Sequence, residues 1–190
     1  MIDLARKLSD CDEKYFGGWV LAGVEIKLQG EATHLENSVL LAKGRRCVHE
    51  ARGYNHKGEL VQSLRLFLVL PKNIGSAVAT NSLVGEESVA QKISGELAGE
   101  LVYRHSFIPE EIHEYAAYTG DENVIHKGEH PLVPGICMLY ALQRHSQLQE
   151  LSWRASFLAP VYTGDELLVY RTEKGYTAYV GTNKAFVVKI

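Results

Sequence analysis

Residues 115–141, YAAYTGDENVIHKGEHPLVPGICMLYA, constrain this chain more than any other stretch. Two helical patterns flank a loop with an unusual density of reactive groups. Upstream, residues 109–118 read as a short amphipathic helix. Pro109 suits its first turn, Glu110 and Glu111 suit the positive end of its dipole, and Gly120 suits a left-handed stop. Downstream, Ile136, Leu139, Tyr140 and Leu142 recur at helical spacing and predict a core helix running to about residue 149. Asp121, Asn123 and His126 therefore fall in a loop between two helices, where a scaffold holds catalytic groups.

An Asp and a His five residues apart in such a loop can converge on one water molecule. The carboxylate accepts a hydrogen bond and the imidazole accepts or donates, so the pair can orient and deprotonate water near neutral pH. The second helix opens at Val133-Pro134-Gly135, where unpaired backbone N–H groups meet the positive end of the dipole. That is a site for a carbonyl oxygen gaining negative charge. Together these are the equipment for adding water across a double bond conjugated to a thioester. A capping carboxylate and a solvated loop histidine remain the plainer alternative.

Residues 115–126, YAAYTGDENVIH, resemble the F-A-x-x-[ST]-G-D-x-N-P-[IL]-H signature of the MaoC-like dehydratases and (R)-specific enoyl-CoA hydratases, which have the hotdog fold. Val133-Pro134-Gly135 is similar to the start of that family's central helix, and FLAPVYTGDEL at 157–167 to its F-x-x-P-V-x-x-G-D-x-L strand pair. The resemblance covers about residues 101–190, with Val124 in place of the usual Pro and a shorter stretch from His126 to Val133. In that shortness HPLVPGI, from His130, resembles the related β-hydroxyacyl-ACP dehydratases. Those carry a Glu in the central helix where this chain has Tyr140, so the Asp/His machinery is the one expected.

The resemblance implies an α+β hotdog with a long helix wrapped by antiparallel sheet. It implies a hydratase or dehydratase of 2-enoyl or 3-hydroxyacyl thioesters on CoA or a carrier protein, in fatty acid metabolism. Asp121 and His126 match the catalytic pair, Asn123 the supporting amide and Gly135 the oxyanion donor, with Val133, Pro134 and Tyr140 beside the substrate. Neither a cofactor nor a metal is implied. A non-catalytic acyl-binding or partner hotdog protein, and an acyl thioesterase, are the alternatives.

The rest of the chain reads as strands. Residues 19–29, 39–43, 47–54 and 60–70 are rich in β-formers, with a turn at 56–59. Residues 102–107, 151–161, 167–173 and 176–190 add strands to the second half, the last bulged near Gly181, so that three strands close the chain. Residues 2–12 read as a short helix. The two strand-rich halves share a rhythm, which points to a pseudo-double hotdog: 1–70 a reduced hotdog-like half without a catalytic motif, 71–100 a linker and connector, and 101–190 the MaoC-like domain. The first half then shapes the substrate site without supplying chemistry.

Composition narrows the classes. A net charge of −3 with no basic run gives no reason to expect nucleic acid. No apolar run approaches membrane-spanning length and no signal peptide is visible, so a cytoplasmic protein is expected. Three widely spaced cysteines, Cys11, Cys47 and Cys137, read as reduced thiols. His126 and His130 are four apart, but Gly128 and Pro131 oppose the helix that would align them on a metal. Arg45-Arg46 reads either as a solvated turn or as a contact for a CoA phosphate or an acidic carrier protein. Hotdog sheets pair edge to edge, so either a homodimer or internal pairing of the halves is expected.

Overall fold

The computed structural model describes residues 1–10, 17–71, 99–146 and 152–190. Helix α1 (Ile2–Leu8) precedes strands β1 (Val20–Leu28), β2 (His34–Lys43), β3 (Arg46–Tyr54) and β4 (Leu60–Val69). Then come β5 (Glu100–Ser106), α2 (Pro109–Thr119), a 3-10 turn (Val124–His126) and α3 (Gly135–His145). Strands β6 (Ser152–Phe157), β7 (Glu166–Thr172), β8 (Gly175–Val180) and β9 (Asn183–Lys189) close the chain.

The nine strands form one antiparallel sheet in the order β2-β3-β4-β1-β6-β9-β8-β7-β5. This order reads nearly the same from its two ends. β2-β3-β4-β1 mirrors β7-β8-β9-β6, and α1 precedes β1 as α3 precedes β6. Only β5 lacks a counterpart, and α1 has 7 residues where α3 has 11. The architecture is thus the expected α+β double hotdog with a reduced N-terminal half. The halves join edge to edge through β1 and β6, in register from Gly23 opposite Ser156 to Lys27 opposite Ser152. That pairing satisfies two strand edges that would otherwise be exposed.

Helix α3 is buried almost all round in its first turn, Ile136 to Leu139, and Leu142 continues the burial one turn on, so the helix packs deep against the sheet. Leu139 and Leu142 are fully buried against sheet residues such as Phe186, Tyr176 and Leu167. In the N-terminal half Leu4 and Leu8 of α1 cover Cys47, Ala51 and Leu64 in the same core cluster. Each fully buried aliphatic side chain of this kind stabilises by roughly 1.5–3 kcal/mol relative to exposure. The core therefore runs across both halves.

Local signals explain most element ends. Helix α2 begins at Pro109, with the Glu111 carboxylate accepting from the Ile108 N–H at 2.9 Å, and stops at Gly120 with φ 74°. Four differences from the sequence reading stand out. Residues 176–190 form a hairpin, β8 and β9, turning at Gly181 with φ 54°, so four strands close the chain. The bulge lies between Ala178 and Tyr179. β6 ends at Phe157, and 158–161 leave the sheet around Pro160, which has no N–H to give to a ladder. β2 starts at His34, earlier than its apolar run, because β3 pairs with it as far as Tyr54. Cys11, nearly all of the 71–100 linker and connector, and positions 147–149 of the second helix lie outside the described residues. Among the described residues no helix is long and apolar enough to cross a membrane.

Candidate active site

The loop after α2 is built by short-range hydrogen bonds that aim its side chains inward. The Asp121 Oδ1 accepts the Asn123 N–H at 3.0 Å, closing a tight turn. Asn123 then caps the 3-10 turn, its Oδ1 accepting from the Ile125 N–H at 3.4 Å. That turn brings His126 back toward Asp121, leaving 3.7 Å between His126 Nε2 and Asp121 Oδ2. Val124, where the family signature has Pro, is an exposed residue of the turn at the edge of the cavity described below.

His126 has a defined proton arrangement. Its Nδ1 lies 2.6 Å from the Leu132 carbonyl, which can only accept, so Nδ1 carries the proton. The Nε2 lone pair of the neutral ring is left facing Asp121. Leu132 is itself fixed, its N–H donating to the Ile125 carbonyl at 3.0 Å. Burial pulls His126 below the ordinary histidine pKa, opposed by the Asp121 charge and the Leu132 carbonyl. The ring is thus held neutral and basic at Nε2. At 3.7 Å the Asp–His contact is too long for a direct hydrogen bond.

Asn123 does more than support its own loop. Its Oδ1 also accepts the Gly18 N–H at 3.0 Å, and its Nδ2 donates to the Trp19 carbonyl at 2.9 Å. One buried amide thereby ties the loop of the C-terminal half to the start of β1 in the N-terminal half.

These groups open onto a cavity of about 1020 Å³. The C-terminal half contributes Asp121, Asn123, His126, Val133, Pro134, Gly135 and Met138. The N-terminal half contributes Leu8 from α1, Trp19 just before β1, Leu21 from β1, and Leu66 and Leu68 from β4. The wall is thus mainly apolar, with its polar groups gathered at one place. Gly135 stands at the first position of α3, where its N–H has no carbonyl within the helix. A Cβ there would come within 2.7 Å of both Leu21 Cδ2 and Phe157 Cζ, so any larger residue would have to push these two side-chain ends aside.

The structure therefore brings together Asp121, Asn123, His126, Val133, Pro134 and Gly135, and it does not bring Tyr140 to them. Tyr140 lies five residues past Gly135, about 140° around a helix of 3.6 residues per turn. It lines a separate pocket of about 470 Å³ with Tyr103, His105 and Arg144. The Arg144 guanidinium sits 5.8 Å from its ring centroid. His130 is exposed, apart from the buried His126. Burial, with Glu111 adding to it, pushes the Cys137 thiol up to about 12, which leaves it protonated and inert.

Three contributors escape the sequence reading. The Leu132 carbonyl that sets the His126 tautomer carries no side-chain signature. The Gly18 and Trp19 backbone groups lie more than 100 residues away. Tyr115 lines the cavity, and burial followed by the Asp121 charge pushes its phenol well above the ordinary value, so it stays an O–H donor. It occupies the Phe position of the signature, a difference that could have singled it out.

No family model matches the chain, and no curated protein matches it in sequence. Solved structures match its fold over nearly the whole length. A MaoC-like dehydratase aligns with TM-score 0.65 at 13% identity, covering 98% of this chain and 80% of its own. The peroxisomal multifunctional enzyme type 2 of Drosophila melanogaster aligns with TM-score 0.56 at 12% identity, over 88% of this chain and 35% of the enzyme. An acyl-ACP thioesterase from Bacteroides thetaiotaomicron gives TM-score 0.53 at 14% identity, over 98% and 81%. The chain has the hotdog fold that these dehydratases and thioesterases share.

Proposed function

We propose that the protein is a hydratase or dehydratase of acyl thioesters of the MaoC-like, (R)-specific enoyl-CoA hydratase kind. One observation carries this reading. Asp121 Oδ2 and His126 Nε2 face each other at 3.7 Å across the cavity, each able to accept a hydrogen bond. A water about 2.8 Å from each can donate one hydrogen to each of them. Asp121 and His126 together orient that water and take its proton as its oxygen bonds to C3 of a 2-enoyl thioester. The electron pair of the C2–C3 double bond moves toward the thioester carbonyl, whose oxygen lies against the Gly135 N–H. The same proton returns to C2 on the same face, giving the 3-hydroxyacyl thioester. Dehydration is the reverse.

Residues 101–190 supply the chemistry in this reading. Residues 1–70 close the acyl cavity, and 71–100 connect the two. We take the protein to be cytoplasmic, and a homodimer to form through edges β2 or β5, since β1 and β6 are used on each other. Light scattering that returns the mass of a single chain would argue against the dimer.

The test is hydration of crotonyl-CoA followed by loss of the enone absorbance, run beside a free-thiol assay. Hydration without thiol release supports the reading. Thiol release without hydration would assign a thioesterase, and neither activity across acyl lengths would assign a binding protein.

A further inference from the structure

We infer that the hairpin turn joining β2 to β3 holds the nucleotide phosphates of a coenzyme A thioester at the rim of the cavity. The inference rests on the proposed acyl-thioester substrate and adds the part of it recognised outside the cavity. The sheet residues that line the cavity cluster at one end of the strands: Trp19 and Leu21 where β1 begins, Val69 and Pro71 where β4 ends, and Phe157 where β6 ends. Strand register carries that same end outward, Val20 lying opposite Val69, Val69 opposite Arg46, and Arg46 opposite Lys43. The turn is three inter-strand steps from β6, roughly 14 Å, a distance a flexible carrier arm can bridge.

The turn Lys43-Gly44-Arg45-Arg46 is exposed throughout. Lys43 and Arg46 stand directly opposite one another, like charges in a position that normally destabilises a ladder. Among the described residues, the ion pairs of this half use other side chains: Lys7 on Asp10, His34 on Glu36, Arg52 and Arg65 on Glu50, and Arg65 and Arg154 on Glu25. Neither Lys43 nor Arg46 has a carboxylate partner there. Arg45 has a different task. Its guanidinium donates to the Leu70 carbonyl, at 2.7 Å from Nε, and so anchors the turn to the end of β4 beside Pro71. The result is an anchored turn with two cations that no carboxylate compensates among the described residues, at the cavity end of the sheet.

The occupant that fits is compact and highly charged. Coenzyme A gathers a 3′-phosphate and a diphosphate in one nucleotide, matched by a guanidinium fork and an ammonium a few ångströms apart. A carrier protein presents acidic side chains along a helix and calls for an extended basic face. This chain has a net charge of −3, and Lys43, Arg45 and Arg46 gather three of its cations in one turn.

The experiment uses the full chain with Lys43→Ala and Arg46→Ala combined, leaving Arg45 in place. Calorimetric titration with coenzyme A and with adenosine 3′,5′-bisphosphate should show about ten-fold weaker binding for the variant at low salt, as expected for two exposed charge contacts. The loss should shrink as salt is added. In the hydration assay KM for crotonyl-CoA should rise about as much, while the crotonyl thioester of pantetheine, which lacks the nucleotide, should be unaffected. Equal nucleotide affinity in wild type and variant would overturn the inference. So would an equal loss on the pantetheine thioester, or an effect confined to a thioester on an acyl carrier protein. A chain that binds the nucleotide through this turn but hydrates nothing would sink the proposed function and leave this inference standing.

Discussion

The Asn123 side chain accepts a hydrogen bond of 3.0 Å from the backbone of Gly18, 105 residues earlier in the chain. With the 2.9 Å bond from its Nδ2 to the Trp19 carbonyl, it clamps the loop bearing Asp121 and His126 onto the first strand of the other half. The N-terminal half thus positions the loop that carries the candidate site residues as well as lining the cavity.

Asn123→Ala removes both bonds and leaves the buried Gly18 N–H and the part-buried Trp19 carbonyl without these partners. A stability loss of about 1–3 kcal/mol follows, measurable by chemical denaturation. Turnover falls because the loop loosens, but less than on loss of Asp121 or His126. An unchanged denaturation midpoint would show that the clamp carries no stability.

Gly135→Ala puts a methyl group within 2.7 Å of Leu21 Cδ2 and Phe157 Cζ. Both are side-chain ends that line the cavity, so they are displaced into it. The expected result is a loss of roughly 1–3 kcal/mol with a raised KM for acyl thioesters. Melting curves and steady-state kinetics on the same sample check both parts.

The pH dependence follows from the lowered pKa of His126, caused first by burial and only partly opposed by Asp121. Neutral Nε2 is the active form, so hydration is full above the ordinary value of 6.5 and falls once pH drops through the lower folded value. The same sign governs stability. Between the unfolded value of 6.5 and the lower folded value the unfolded chain binds more protons, so this contribution is present above 6.5 and lost as pH falls through that window. Denaturation midpoints from pH 8 to pH 5 for wild type and His126→Ala test it, the variant showing the smaller decline.

Tyr140→Phe keeps hydration kinetics within about two-fold of wild type, because Tyr140 faces the Arg144 pocket and lies off the catalytic cavity. A large change in KM would restore Tyr140 to the substrate site.

How far the site was legible depends on the range of the interactions that make it. Asp121, Asn123 and His126 were readable because a turn, a cap and a helix start lie within fifteen residues. Gly135 was readable from Pro134 before it and the apolar periodicity after it. The Leu132 carbonyl was not, since every residue has a carbonyl and only the tertiary fold selects this one. The Gly18 and Trp19 contacts arise from the β1–β6 junction, which no local pattern specifies. Tyr140 lines the Arg144 pocket, and helical geometry alone turns it away from Gly135. The β8–β9 hairpin escapes a local reading because a glycine such as Gly181 between two β-rich runs serves a bulge or a turn equally well.

The central claim is that Asp121 and His126 act as one unit on a single water. Crotonyl-CoA hydration by wild type, Asp121→Asn, His126→Ala and the double variant tests it most directly, with circular dichroism to show that each is folded. Each single variant should lower turnover by about 10² to 10⁴, the usual worth of general acid–base catalysis. The double variant should be little slower than the slower single one, because either loss disables the same water. Wild-type rates in both single variants would contradict the account.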